Sequence, residues 1–207
     1  MFTDSQRAEL TKLFRLGADD ASDALTRWLD RPARVSVNEV EQIPLSAASG
    51  ALGDPEQPIC CSIMGLTGRV TGQLILASDD ASGLALADLL LGRPPGTSTG
   101  WTEYERSAAL ETANIVGCAY LNALFRNFAA ASADEEELLP SPPRFVRDFA
   151  DAVLQFALMD QAANSDVVLL TRTEFHIENT PVDCGLLLVP DARSLAALRD
   201  ALPAGTG

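Results

Sequence analysis

An acid and an amide lie one helical turn apart in the stretch Ser107-Ala-Ala-Leu-Glu111-Thr-Ala-Asn114-Ile-Val-Gly-Cys118. The spacing predicts a single long helix over 102–128. On it Ser107, Glu111, Asn114 and Cys118 follow one another at steps of four, three and four, which places them on one stripe. Ala109, Ala113, Val116, Tyr120, Ala123 and Leu124 form the opposite, apolar stripe, the natural core face. An amide can donate to or accept from water without changing its protonation state. A carboxylate one turn away can pair with a cation. The competing reading of Glu111 and Asn114 is a solvated helix face. Ser107 has no triad around it, because the one histidine, His176, is distant in sequence and falls in a strand pattern.

The elements that must hold this helix can be read in order. Thr3-Asp4-Ser5 is placed to start a first helix, whose face Leu10, Phe14, Gly17, Ala21, Ala24 and Leu25 is apolar, and Asp30-Arg31-Pro32 stops it. Residues 34–37 alternate as a strand, and the small polar residues of 46–55 read as a loop. Residues 58–66 and 70–77 read as a hairpin turning at Thr67-Gly68. Ser78-Asp79-Asp80 follows as the cap of a short helix over 81–91, and 92–100 is a Gly/Pro-rich linker. The order then repeats. After the long helix come an acidic run over 134–137, Pro140-Ser-Pro-Pro143, a partly extended segment over 145–154, strands over 167–177 and 182–189, and a closing helix over 192–202.

The halves overlay. The first helix's apolar positions fall without a gap on Ala109, Ala113, Val116, Tyr120, Ala123 and Leu124. Leu74, Leu76, Asp79 and Ser82 fall on Leu186, Leu188, Asp191 and Ser194. Two overlays in the same order imply an internal duplication, with 1–92 and 101–202 as repeats of a single domain. The expected fold class is α+β with pseudo-two-fold symmetry. Each half is helix, strand, hairpin and helix, and about six antiparallel strands carry the long helices. The patchy alternation predicts partial cover on both sheet faces.

Bulk properties exclude several functions. The 207 residues suffice for a substantial core, and 47% are hydrophobic. A formal charge of −14, from 15 Lys+Arg against 29 Asp+Glu, argues against sequence-independent nucleic-acid binding and against an anionic membrane surface. Cys60, Cys61, Cys118 and Cys184 contain no Cys-x-x-Cys pair, so no structural zinc site is expected. They read as free thiols in a reducing compartment, with Cys60 and Cys61 on opposite faces of a strand. The N-terminus has no signal-peptide pattern and no apolar run is long enough to span a bilayer, so the expected location is the cytoplasm. A nucleophile elbow and a phosphate loop are absent from the sequence, which leaves an unrelated hydrolase without support.

Taken together, the motifs resemble the CheC/CheX/FliY group of response-regulator phosphatases. The resemblance is carried by Ser107-x-x-x-Glu111-x-x-Asn114 and its continuation Ala119-Tyr120-Leu121-x-Ala123-Leu124. Pro140 to Pro143 with Asp148, Thr173-Glu174-Phe175, Pro190-Asp191-x-x-Ser194-Leu195, Gly17-Ala18, Ala24-Leu25 and Leu89-Leu-Leu-Gly92 match in the same order. Members with two sites carry the Glu/Asn pair on both long helices. Here the overlay sets Lys12 against Glu111, Arg15 against Asn114 and Ala8 against Ser107, so the first site looks lost.

The resemblance implies hydrolysis of the aspartyl phosphate of a CheY-like receiver domain that supplies its own Mg²⁺ and lysine. Asn114 would orient the attacking water and Glu111 would pair with the lysine, while Ser107 would shape the docking surface. No cofactor of the chain's own is implied. The alternative is a binding module without catalysis, because the fold also resembles the FliM middle domain and CheC relatives can bind CheD. Cys118 reads as small filler at the helix edge and His176 as a strand surface residue. Lys12, Arg15 and the 134–137 run read as solvated, and Trp28 and Trp101 as packing residues near helix ends.

Overall fold

The computed structural model describes residues 1–52, 56–68, 70–128, 139–153, 167–178 and 180–202. The acidic run at 134–137 and Asn179 lie outside them. Helix α1 spans Asp4–Leu29. Thr3 caps it by accepting from Gln6 N at 3.2 Å, and the Gln6 side chain accepts from Thr3 N at 3.0 Å. This reciprocal pair satisfies two amides that would otherwise lack partners. Strands β1 (Ala33–Val37) and β2 (Glu41–Pro44) follow, then a 3-10 turn at Leu45–Ala47 and helix α2 at Ala48–Leu52. The expected loop over 46–55 is therefore partly helical, because Ala48 packs fully buried against the sheet.

The hairpin is β3 (Pro58–Thr67) and β4 (Gly72–Asp79), followed by α3 (Asp80–Leu90). Gly92, at φ 72°, then turns the chain out of α3. The second half holds α4 (Glu103–Phe128), β5 (Leu139–Pro140), β6 (Arg144–Phe149), β7 (Val167–Ile177), β8 (Thr180–Pro190) and α5 (Ala192–Ala201). No helix among the described residues is long and apolar enough to cross a membrane.

Among the described residues all strand pairs are antiparallel, in one sheet of eight strands ordered β1-β7-β8-β4-β3-β5, with β2 also on β7 and β6 also on β3. The α+β class and antiparallel sheet are as expected. The strands beyond the expected six are short: β2 has four residues and β5 two. Each half lends its opening strands to the edge of the other's hairpin: β1 and β2 line β7, and β5 and β6 line β3. The halves meet at β4 and β8, where Leu74 pairs with Leu188, Ile75 with Leu187 and Leu76 with Leu186.

Both sheet faces are covered. The larger core lies under the long helices and includes Leu10, Phe14, Met64, Leu74, Tyr120, Leu124, Phe175 and Leu188. The smaller one joins Ala48, Ile59, Cys61, Ile75, Leu187, Ala150 and Val153. Helices α1 and α4 approach closely at Gly17, where an added Cβ would stand 2.8 Å from Tyr120 Cα. The Phe14 and Tyr120 rings pack beside this crossing at 5.4 Å.

Candidate functional site

Helix α4 begins in a buried polar clamp. Glu105 accepts from Thr102 N at 3.0 Å and from the Thr102 hydroxyl, and so caps the first turn. It also accepts from Ser98 Oγ at 2.9 Å and Arg93 Nη1 at 2.8 Å. Asp88, fully buried on α3, accepts from Thr97 N at 2.8 Å and Ser98 N at 3.0 Å, and it shares the one Ser98 hydroxyl proton, at 2.6 Å, with Glu105. The Gly/Pro-rich segment over 92–100 is thus a strap tied to two buried carboxylates. The Thr102 hydroxyl above all, against the opposing effect of burial, holds the Glu105 carboxyl down at about 2. Burial opposes ionisation of Asp88, but the Ser98 and Thr97 donors outweigh it and its carboxyl also lies below the ordinary range.

A second brace ties α4 to strand β6. The Arg106 guanidinium sits 5.9 Å from the Phe145 ring centre, and Phe145 packs on Trp101 at 4.6 Å. Trp101 Nε1 donates to Asp80 at 2.7 Å, and Arg147 binds the same carboxylate through Nε and Nη2 at 2.7 and 2.9 Å. These bonds, Arg147 first, hold the Asp80 carboxyl below its usual range. The prolines reach the sheet next to α4: Gly65 N donates to Ser141 Oγ at 2.9 Å, and Ser141 N to Gly65 O at 2.8 Å. The Asp148 carboxylate accepts from its neighbour Phe149 N at 2.8 Å.

On this braced helix the expected apolar stripe turns inward. Ala113, Val116, Tyr120, Ala123 and Leu124 are buried, joined by Ala108 and Thr112, while Ala109 at the start of the expected stripe is only half-buried. Ser107, Glu111 and Asn114 are all exposed on the outer face. Cys118 continues the stripe, half-buried, and its thiol donates to Asn114 Oδ1 at 3.8 Å. Burial raises that thiol and keeps it a protonated donor. The Asn114 NH₂ group makes no hydrogen bond among the described residues, and neither does the Glu111 carboxylate. An amide and a carboxylate so presented can engage a water and a cation brought by a partner.

Beside Cys118 a groove of about 440 Å³ runs between α1 and α4, lined by Asp20, Asp23, Arg27, Ile115, Cys118 and Asn122 among others. On α1 the positions matching Glu111 and Asn114 are also outward. Lys12 pairs with Glu9 at 2.7 Å, and Arg15 is exposed. His176 is a half-exposed strand residue 3.0 Å from Glu174. Trp101 packs as expected, but Trp28 is exposed at the end of α1. Cys60, Cys61 and Cys184 are buried free thiols. No group of three or more His, Cys, Asp or Glu side chains that could hold a metal occurs among the described residues. Two features of the site escaped the sequence: the Asp88–Glu105 clamp, hidden in what reads as a linker, and Tyr104, an exposed aromatic on the stripe of Ser107 and Glu111.

Solved structures share this architecture. FliY of Thermotoga maritima superposes with a TM-score of 0.76 over 98% of each chain, at 18% identity. The chain has the FliY fold. The FliM middle domain from H. pylori matches with a TM-score of 0.66 over 96% of this chain and 99% of that one, at 10% identity. A FliG–FliM complex from H. pylori matches with a TM-score of 0.66 over 96% and 99%, at 9% identity. No family model matches the sequence. The resemblance carried by the motifs is therefore reflected in the three-dimensional structure, and at these identities what is shared is the fold.

Proposed function

We propose that this protein is a cytoplasmic phosphatase that hydrolyses the aspartyl phosphate of a CheY-like receiver domain at a single site on α4. The observation that carries the reading is the outward Glu111/Asn114 pair on a helix braced at its first turns, beside a matched helix whose equivalent positions are Lys12 and Arg15. A water oxygen attacks phosphorus, the aspartate carboxylate leaves, and inorganic phosphate is released. The Asn114 amide holds the water in line with the leaving oxygen. Glu111 pairs with the receiver's lysine and sets the register of docking. Mg²⁺ belongs to the receiver and supplies charge stabilisation at the phosphoryl group. Positioning of the nucleophile accounts for most of what this chain adds.

Phosphate release from a panel of phosphorylated receivers tests the reading. Wild type accelerates release, and Asn114→Ala and Glu111→Ala do not. Equal decay with wild type and Asn114→Ala across the panel would reject it.

A second reading is a binding module of chemotaxis or flagellar switch signalling, FliM-like or a CheD-binding adaptor. The likeness to FliM middle domains and the cations at Lys12 and Arg15 favour it. Tight binding of a receiver or CheD that survives Glu111→Ala, with no turnover by wild type, would establish it in place of catalysis.

A further inference from the structure

We infer that Tyr104 is a positioning and specificity residue, the aromatic anchor by which the phosphorylated receiver docks on α4; this rests on the phosphatase reading. Tyr104 is three residues before Ser107 and seven before Glu111, so it extends the same outward stripe by one turn. Its side chain is 69% exposed, more than any other large apolar side chain described except Met1. Its hydroxyl makes no hydrogen bond among the described residues. A lone exposed aromatic is ordinary on a protein surface. Two observations set this one apart.

The first is continuity. From Tyr104 to Cys118 the stripe is about 21 Å long at helical rise, the width of a small protein–protein contact. Within it Ser107, Glu111 and Asn114 are small or polar, so Tyr104 is the one large apolar surface the outward stripe offers. Binding energy at such contacts concentrates in aromatic anchors, with polar groups setting register.

The second is rigidity. The two residues that follow Tyr104 are tied down: Glu105 is buried in the clamp with Thr102, Ser98 and Arg93, and Arg106 lies over Phe145. The Tyr104 amide itself donates to Thr102 Oγ1 at 3.3 Å. A ring on a turn fixed before binding loses little freedom on docking. None of these bonds uses the ring, so its removal leaves the clamp intact.

The division of labour follows: Asn114 acts in the chemical step and Tyr104 in association. Turnover of a phosphorylated CheY-like receiver, and binding of the same receiver loaded with beryllofluoride and Mg²⁺, test this together. Tyr104→Ala is expected to raise KM and Kd about tenfold or more with kcat within about twofold, and Tyr104→Phe to retain most of the affinity. Asn114→Ala should lose kcat while keeping Kd. If Tyr104→Ala leaves KM and Kd unchanged while Asn114→Ala abolishes turnover, the anchor is refuted and the phosphatase reading survives. If Asn114→Ala turns over like wild type, the phosphatase reading falls and this inference falls with it.

Discussion

Ile75 of β4 lies directly opposite Leu187 of β8 in the middle of the sheet. The overlay that sets Leu74 on Leu186 and Leu76 on Leu188 makes these two residues equivalents of each other. Their pairing therefore marks the pseudo-two-fold axis, and exchanging the halves turns the pair Leu74–Leu188 into Leu186–Leu76, which also exists. The pseudo-two-fold correspondence of the halves is thus present in the register of the central strands.

The same symmetry predicts equal capping. Asp79 accepts from Ser82 N at 2.6 Å, and Asp191 accepts from Ser194 N at 2.7 Å. Each carboxylate satisfies one unpaired amide and complements the positive end of its helix. Asp79→Ala and Asp191→Ala should each cost about 1 kcal/mol. The caps share no hydrogen-bond partner, so the double variant should lose about 2 kcal/mol in denaturant titration.

At the helix crossing, Gly17→Ala should be destabilising. Its new Cβ would lie 2.7 Å from Tyr120 Cδ1 and 2.8 Å from Tyr120 Cα, and the second atom is backbone that cannot rotate away. The helices would have to separate, at a cost of about 1–3 kcal/mol. Gly50→Ala is the control, because nothing lies within 4 Å of a Cβ there. It should be neutral or stabilising by about 0.5–1 kcal/mol. A loss of stability in Gly50→Ala equal to that in Gly17→Ala would refute the steric account.

How much of this was legible before the structure depends on the range of the interaction. Local signals survived: the helix starts legible at Thr3-Asp4-Ser5, Ser78-Asp79-Asp80 and Pro190-Asp191 are capped by Thr3, Asp79 and Asp191, because a carboxylate or hydroxyl beside an apolar period has one good local use. The two faces of α4 were legible for the same reason. Contacts between distant residues were not. Asp88 lies in a leucine-rich helix and its partners Thr97 and Ser98 in a Gly/Pro-rich stretch, so neither segment signals a buried clamp. The strands β2 and β5 are too short to show alternation, and they exist because β7 and β3 present edges. Tyr104 carries no sequence signal, because one exposed aromatic leaves no periodic trace.

The clamp carries a pH signature. Glu105 has its carboxyl at about 2 in the folded protein, against an ordinary 4.5. A depressed carboxyl contributes stability fully above its unfolded value, and that contribution is lost as pH falls from about 4.5 towards about 2. Asp88, also held down, acts in the same direction. Denaturation midpoints followed from about pH 7 to about pH 3 should fall as the medium becomes acid. In Glu105→Gln the neutral-pH midpoint should be lower and the acid slope shallower, with the Asp88 share remaining. An acid slope identical in variant and wild type would contradict the clamp's role.

The strongest functional contrast sets the two outward helix faces against each other. Lys12 and Arg15 occupy on α1 the places of Glu111 and Asn114 on α4, and all four are exposed, so none supports the core. Replacing any of them with alanine should move stability by no more than about 0.5 kcal/mol. Activity should separate them sharply. Asn114→Ala should slow receiver dephosphorylation about a hundredfold or more, since a misplaced nucleophile alone can cost that much. Glu111→Ala should weaken docking and turnover together, because its carboxylate sets register before chemistry. Lys12→Ala with Arg15→Ala should leave turnover within about twofold of wild type, well short of the loss that a misplaced nucleophile causes. Phosphate release rates for the three proteins, with thermal midpoints measured alongside, decide the matter. A large loss in the Lys12/Arg15 variant with its midpoint unchanged would show that the first half still takes part in the reaction and would end the single-site account.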